Sequence, residues 1–119
     1  MRATLNKTLG AKVLISPRGL TLYHMTVEKG KKVVCTGQCT VFWPPLLVRK
    51  GGKMTAGPGV NAKKLGTIRR PNGRYQVTYA GLPLYSFVSD KRRGDVKGEG
   101  VQKIWYAVSP TGRIVKPPA

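Results

Sequence analysis

The stretch from Leu20 to Met25 is typical of a β-strand, in which successive side chains alternate between two faces. The alternation puts two sets of side chains on opposite faces, namely Leu20, Leu22 and His24 against Thr21, Tyr23 and Met25. The apolar run Val13-Leu14-Ile15 precedes this stretch, and a Pro/Gly turn signal at residues 16–19 separates the two. The pattern predicts a strand, a tight turn and a second strand.

The same pattern returns later in the chain. Gly19-Leu20-Thr21-Leu22-Tyr23 is matched 62 positions on by Gly81-Leu82-Pro83-Leu84-Tyr85. Each of these tyrosines is followed 20 positions later by one of the two tryptophans, Trp43 and Trp105. The spacing predicts two repeated β units.

A further match, between Leu9-Gly10 and Leu65-Gly66, has an offset of only 56 positions. It predicts six extra residues in the second unit, near the turn signal Pro71-Asn72-Gly73. We expect a lengthened hairpin there.

The predicted fold class is all-β, because 15 glycines and nine prolines, with many β-branched residues, favour short strands and turns. We expect a small single domain over residues 1–119, barrel- or sandwich-like, made of two pseudo-symmetric units with one short helical turn near the cysteine pair. The units span about 6–50 and 61–116, joined by a glycine-rich connector at 51–60. Residues 116–119 are expected to form a loose tail.

No window approaches the roughly 18 consecutive apolar residues of a transmembrane helix. Met1 to Lys12 also lacks the apolar core of a signal peptide. If the protein is exported, we expect its leader to lie outside this sequence, and the precursor could carry a lipid anchor.

The chain is strongly basic, with 22 Lys and Arg against four Asp and Glu and a net charge of +18. That excess exceeds what solubility requires, and it predicts a polyanionic partner or an acidic protein surface, although an acidic or saline habitat would also favour it. Most of the predicted polyanion-binding cations lie in turns: Lys29, Lys31, Lys32, Arg69, Arg70, Arg74, Lys91, Arg92, Arg93 and Lys97.

Cys35 and Cys39 are close enough in sequence for a local disulfide, since one helical turn separates Cα atoms by about 6 Å. A bridge would indicate an oxidising compartment. The alternative is a soft-metal or redox site that combines both cysteines with His24 and Met25. A disulfide would exclude that site.

The chain contains a series of short motifs that together cover nearly its whole length. They are Gly-Leu-Thr-Leu-Tyr at 19–23, Cys-x-Gly-x-Cys at 35–39, Trp-Pro-Pro-Leu at 43–46, Tyr79-x-Gly81-x-Pro83-Leu84-Tyr85-x-Phe87-x-x-Asp90, Gly94-Asp95-x-x-Gly98-x-Gly100-Val101 and Trp105. With them the sequence resembles the bacterial and archaeal family of secreted repeats of unknown function, described as predicted lipoproteins with a Tyr-x-aromatic-x-x-Asp motif. The resemblance implies export, often by lipid anchoring, and no settled activity. The first copy departs from the motif, with Met25 and Glu28 at the aromatic and aspartate positions.

The motif residues allow two interpretations. They could form a binding rim, or the aromatic ones could form a small core while Asp90 caps the basic turn that follows it. We favour the core. The residues concerned are Tyr23, Glu28, Trp43, Tyr85, Phe87, Asp90, Asp95 and Trp105.

The sequence therefore predicts an exported, extracytoplasmic, non-enzymatic binding or assembly module without a cofactor. Its basic surface would contact a polyanion or an acidic partner protein. The first alternative is a nucleic-acid-binding β domain in which Tyr75, Tyr79, Tyr85 and Tyr106 stack on bases. The second is the soft-metal or redox protein described above.

Overall fold

The chain begins with an antiparallel hairpin of β1 (Arg2–Asn6) and β2 (Ala11–Ile15). The structure is a computed structural model that describes residues 1–30 and 32–115. The hairpin turn closes because Asn6 accepts from two N–H groups: its carbonyl from Gly10 at 2.8 Å and its side-chain Oδ1 from Leu9 at 3.0 Å. Asn6 therefore ends the first strand.

A second hairpin consists of β5 (Leu65–Arg69) and β6 (Tyr75–Tyr79). Its turn at residues 70–74 contains the predicted Pro-Asn-Gly signal, and Gly73 adopts a φ of 86°, a left-handed conformation that glycine allows without strain. This turn is one residue longer than the turn at 7–10, so the predicted six-residue lengthening is wrong. The error arose because Leu9-Gly10 lies in a turn whereas Leu65-Gly66 begins a strand.

The remaining strands are short: β3 (Tyr23–Met25), β4 (Leu47–Val48), β7 (Leu82–Pro83) and β8 (Trp105–Ala107). The described residues form three small sheets, β1-β2, β3-β8 and β4-β6-β5, with β7 paired to β6. Strand β3 pairs antiparallel with β8, so the first tyrosine strand lies beside the strand of the second tryptophan.

One short helix, α1 (Cys39–Phe42), begins at the second cysteine, and single 3₁₀ turns span Ala62–Lys64 and Val101–Lys103. The predicted all-β single domain with one helical turn near the cysteine pair is confirmed. Its division into two pseudo-symmetric units stays a prediction. Among residues 1–30 and 32–115, no helix is long and apolar enough to span a bilayer.

Two clusters of buried residues form the core. One contains Val13 and Ile15 with four aromatic residues, and the other contains Leu14, Leu22 and Leu84 with Tyr79. The four aromatic residues are Tyr23, Trp43, Tyr85 and Trp105. Neighbouring residues enter different clusters because successive side chains of a strand point to opposite faces. The alternation around Leu22 and Tyr23 therefore determines which cluster each one joins.

Truncation of Leu84 to alanine should destabilise the domain, because this side chain is 0% exposed whereas Leu5 is 60% exposed. We expect Leu84→Ala to lower the free energy of unfolding by about 2–5 kcal/mol. The matched Leu5→Ala control should change it by less than about 0.5 kcal/mol. Urea unfolding measures both, and similar losses in the two variants would contradict the assignment of the core.

Candidate functional site

The two motif tyrosines, Tyr23 and Tyr85, lie side by side in the core. Tyr23 N–H donates to the Tyr85 carbonyl at 2.7 Å, and Tyr85 N–H donates back to the Tyr23 carbonyl at 2.9 Å. Both side chains are fully buried. The repeated strings therefore meet each other directly rather than forming separate sites.

Each tyrosine hydroxyl bonds to the carboxylate that belongs to the other copy of the motif. Tyr23 Oη donates to Asp90 Oδ2 at 2.6 Å, and Tyr85 Oη donates to Glu28 Oε2 at 2.6 Å. Both carboxyl groups are buried. Bonds from a hydroxyl to a carboxylate at this distance are among the stronger hydrogen bonds in proteins.

Glu28 also holds the chain that follows the first basic turn, residues 29–32. Its Oε2 accepts from Val34 N–H at 2.8 Å and from Cys35 N–H at 3.0 Å. A buried acid thus bonds to backbone just beyond the exposed cations Lys29 and Lys32.

Asp90 does the same for the second basic turn, residues 91–97. Its Oδ1 accepts from Lys97 N–H at 2.9 Å while its Oδ2 accepts from Tyr23. Burial raises the pKa of Asp90 above its ordinary value, against the opposing effect of the Tyr23 hydrogen bond. Burial also raises the pKa of Tyr23, so that its hydroxyl remains a neutral donor.

The other two acids are used within the same half of the chain. Asp95 Oδ2 accepts from Lys91 N–H at 2.9 Å and from Arg92 N–H at 3.1 Å. The sequence predicted that Asp90 caps the second basic turn. In the structure Asp95 bonds to the N–H groups at the start of this turn, and Asp90 bonds to the N–H group of Lys97 at its end. Glu99 Oε1 accepts from Ala107 N–H at 2.7 Å, and burial raises its pKa.

Arg70 lies inside the protein, so the prediction that it binds a polyanion is wrong. It is only 4% exposed, and its Nη1 donates to Gln76 Oε1 at 2.7 Å and to Tyr85 Oη at 3.3 Å. Its Nη2 donates to the Cys35 carbonyl. A buried guanidinium with these partners organises the core around Tyr85.

The aromatic motif residues pack against one another. Trp43 stacks on Trp105 at 3.8 Å between ring centroids and on Phe87 at 4.2 Å. Tyr23 and Tyr85 meet Trp43 and Trp105 edge-on, at 5.5 Å and 5.2 Å. Because Trp105 and Tyr85 are almost fully buried, these rings pack as a core, at whose edge Phe87 is only partly buried.

The other predicted cations that the structure describes are exposed: Lys29, Lys32, Arg69, Arg74, Lys91, Arg92, Arg93 and Lys97. Lys31 lies outside the described residues, as does the predicted tail at 116–119.

The predicted disulfide is confirmed: Cys35 and Cys39 are bonded, with their Cα atoms 5.3 Å apart. The soft-metal alternative therefore lacks both thiolates. His24 is buried, its Nδ1 lies 3.2 Å from the Pro83 carbonyl, and burial lowers its pKa. The described part of the chain contains no group of three His, Cys, Asp or Glu residues placed to hold a metal ion.

The second motif copy lies within a segment that also holds β5 to β8 and both acids of the second basic turn. Residues 66–109 match the family model of a secreted repeat of unknown function. The resemblance seen in the sequence is confirmed over this segment. The family's description as secreted supports the predicted extracytoplasmic location. Comparison with curated proteins found no match, and comparison with solved structures found none.

Sequence reasoning missed how the chain uses its tyrosines and acids. The equal spacing from Tyr23 to Glu28 and from Tyr85 to Asp90 was visible, but it gave no sign of bonds between the two copies. No local signal marked Arg70 as buried, because it begins a polar hairpin turn.

The pH dependence of stability tests the burial of Asp90. Because its pKa is raised above the ordinary value of 3.8, the folded protein binds this proton more tightly than the unfolded chain does. The contribution of protonated Asp90 to the free energy of unfolding is complete below the pKa of Asp90 in the unfolded chain. It is lost as pH rises through the pKa of Asp90 in the folded protein. Relative to Asp90→Asn, the wild type should therefore gain free energy of unfolding as pH falls from neutral to about 4.

Asp95→Asn is the control, since hydrogen bonds from Lys91 and Arg92 N–H lower the pKa of Asp95. Relative to that variant, the wild type should lose stability over acidic pH. His24 is common to all three proteins, so its titration cancels. Urea unfolding across the pH range measures both differences, and the same sign for both would refute the assignment.

Proposed function

We propose that this protein is a non-enzymatic, exported binding or assembly module whose basic surface contacts a polyanion or an acidic partner protein. The observation that carries the proposal is how the chain uses its acids. All four bond to backbone N–H groups or tyrosine hydroxyls: Glu28, Asp90, Asp95 and Glu99. With 22 Lys and Arg against these four acids, most of the exposed cations have no carboxylate of the chain to neutralise them.

The two basic turns are suited to such a contact because buried acids fix their ends. Glu28 bonds to N–H groups beyond the first turn, and Asp90 and Asp95 bond to N–H groups within the second. Because its N–H groups are bonded in this way, the second turn, residues 91–97, would lose less conformational entropy when it binds. An external anion would supply the counter-charge that the chain lacks.

The non-enzymatic part of the proposal rests on the roles of the groups that could act as acid or base. Glu28 and Asp90 are buried beneath tyrosines, and His24 lies against a backbone carbonyl. These side chains therefore have structural roles in the core. A lipid anchor in the precursor stays a prediction.

The nucleic-acid alternative is weakened because two of its four stacking residues are unavailable. Tyr79 and Tyr85 are fully buried, and the Tyr79 hydroxyl donates to the Pro110 carbonyl at 2.7 Å. The disulfide weakens the soft-metal alternative in the same way, because it consumes both sulfur ligands.

Binding to inorganic polyphosphate should depend on salt and on the basic turns. We expect the affinity to fall by about a hundredfold or more between about 50 and 200 mM salt, as for ligands that release several counterions. Removal of three turn cations, in Lys29→Gln, Lys91→Gln and Arg92→Gln combined, should weaken binding by about tenfold at moderate salt. Isothermal titration calorimetry measures both effects.

The matched control removes three exposed cations elsewhere: Lys7→Gln, Lys12→Gln and Lys103→Gln combined. This variant has the same net charge and should weaken binding by no more than about threefold. Salt-independent binding would contradict the electrostatic proposal. Equal losses in the two variants would show that total charge, rather than the turns, determines affinity.

A further inference from the structure

A groove of about 620 Å³ lies between residues 49–54 and the sheet formed by β5 and β6. We call it the connector groove. The residues that matter for its chemistry are Arg49, Lys53, Met54, Leu65, Thr67 and Tyr75. A volume of this size is in the range of small-molecule sites.

One part of the lining is cationic. Arg49 and Lys53 are exposed, no carboxylate lines the groove, and neither side chain has a hydrogen-bond or ion-pair partner among the described residues. The turn between them is fixed, because Gly52 N–H donates to the Arg49 carbonyl at 2.8 Å and Gly51 adopts a φ of 74°. Both cations are therefore available to an anion within the groove.

The rest of the lining is largely apolar and anchored. Met54 and Leu65 are partly buried and pack against the core cluster of Leu14, Leu22 and Leu84. Tyr75 is half-buried, and strand pairing on both sides holds it, with Val48 and Arg69 as neighbours. Contact with these side chains would favour the binding of a ligand that has an apolar part, because apolar surface is buried.

We propose that the connector groove binds a small anionic amphiphile, with its phosphate or carboxylate group at Arg49 and Lys53 and its apolar part against Met54, Leu65 and Tyr75. Charge complementarity selects the anionic head. The apolar lining selects the tail, which a simple polyanion such as polyphosphate lacks. The site is separate from the basic turns and does not depend on the proposed polyanion contact.

The test is calorimetric titration of the full chain with octyl phosphate below its micelle concentration. Inorganic phosphate carries the head alone, and octyl glucoside carries the tail on a neutral head. We expect octyl phosphate to bind at least about tenfold more tightly than either, because only it satisfies both parts of the groove. Equal affinity for octyl phosphate and inorganic phosphate would overturn the proposal.

Two charge-matched variants locate the site. Arg49→Gln with Lys53→Gln should weaken octyl phosphate binding by about tenfold, whereas Lys29→Gln with Lys32→Gln should change it by less than about twofold. All four side chains are exposed, so thermal unfolding should show both variants folded. Equal effects of the two pairs would overturn the proposal.

The variant Met54→Ser tests the apolar part of the groove. It should weaken octyl phosphate binding while leaving the weak affinity for inorganic phosphate unchanged. A parallel loss for both ligands would contradict the assigned tail position. The polyphosphate titration can succeed or fail independently, because it reports on the basic turns.

Discussion

The reciprocal bonds between tyrosine hydroxyls and buried carboxylates are the interaction on which the rest of the structure depends. Tyr23 reaches Asp90 and Tyr85 reaches Glu28, each across the two copies of the motif. Burying a carboxyl group is costly unless donors replace its water. Hydroxyl and backbone N–H groups bond to both oxygens of Asp90 and to Oε2 of Glu28, whereas Glu28 Oε1 has no partner among the described residues. The same hydroxyl bonds hold the two copies together.

This arrangement also links the core to the surface. Each buried acid bonds to backbone on the far side of a basic turn, so the positions of the exposed cations depend on a carboxylate beneath them. The chain has a net charge of +18 and only four acids, and three of these, Glu28, Asp90 and Asp95, bond to backbone within or just beyond the basic turns. The proposed anion contacts follow from that distribution, since counter-charge for the surface must then come from outside.

Much of the fold could be predicted because it depends on local pattern. The alternation around Leu22 and Tyr23 gave a strand and its two faces, and the short Cys35 to Cys39 spacing gave the disulfide. Partner choice could not be predicted, because equal spacing from tyrosine to acid is compatible with contacts inside a copy or between copies. The burial of Arg70 and the connector groove were missed for the same reason: each depends on segments that are distant in sequence.

A double-mutant cycle on unfolding free energy tests the reciprocal bonding most directly. We predict coupling of about 1 kcal/mol or more between Tyr23→Phe and Asp90→Asn, and likewise between Tyr85→Phe and Glu28→Gln. Tyr23→Phe combined with Glu28→Gln, a pair within one copy, should be additive within about 0.5 kcal/mol. Strong coupling within a copy and none between copies would contradict the account.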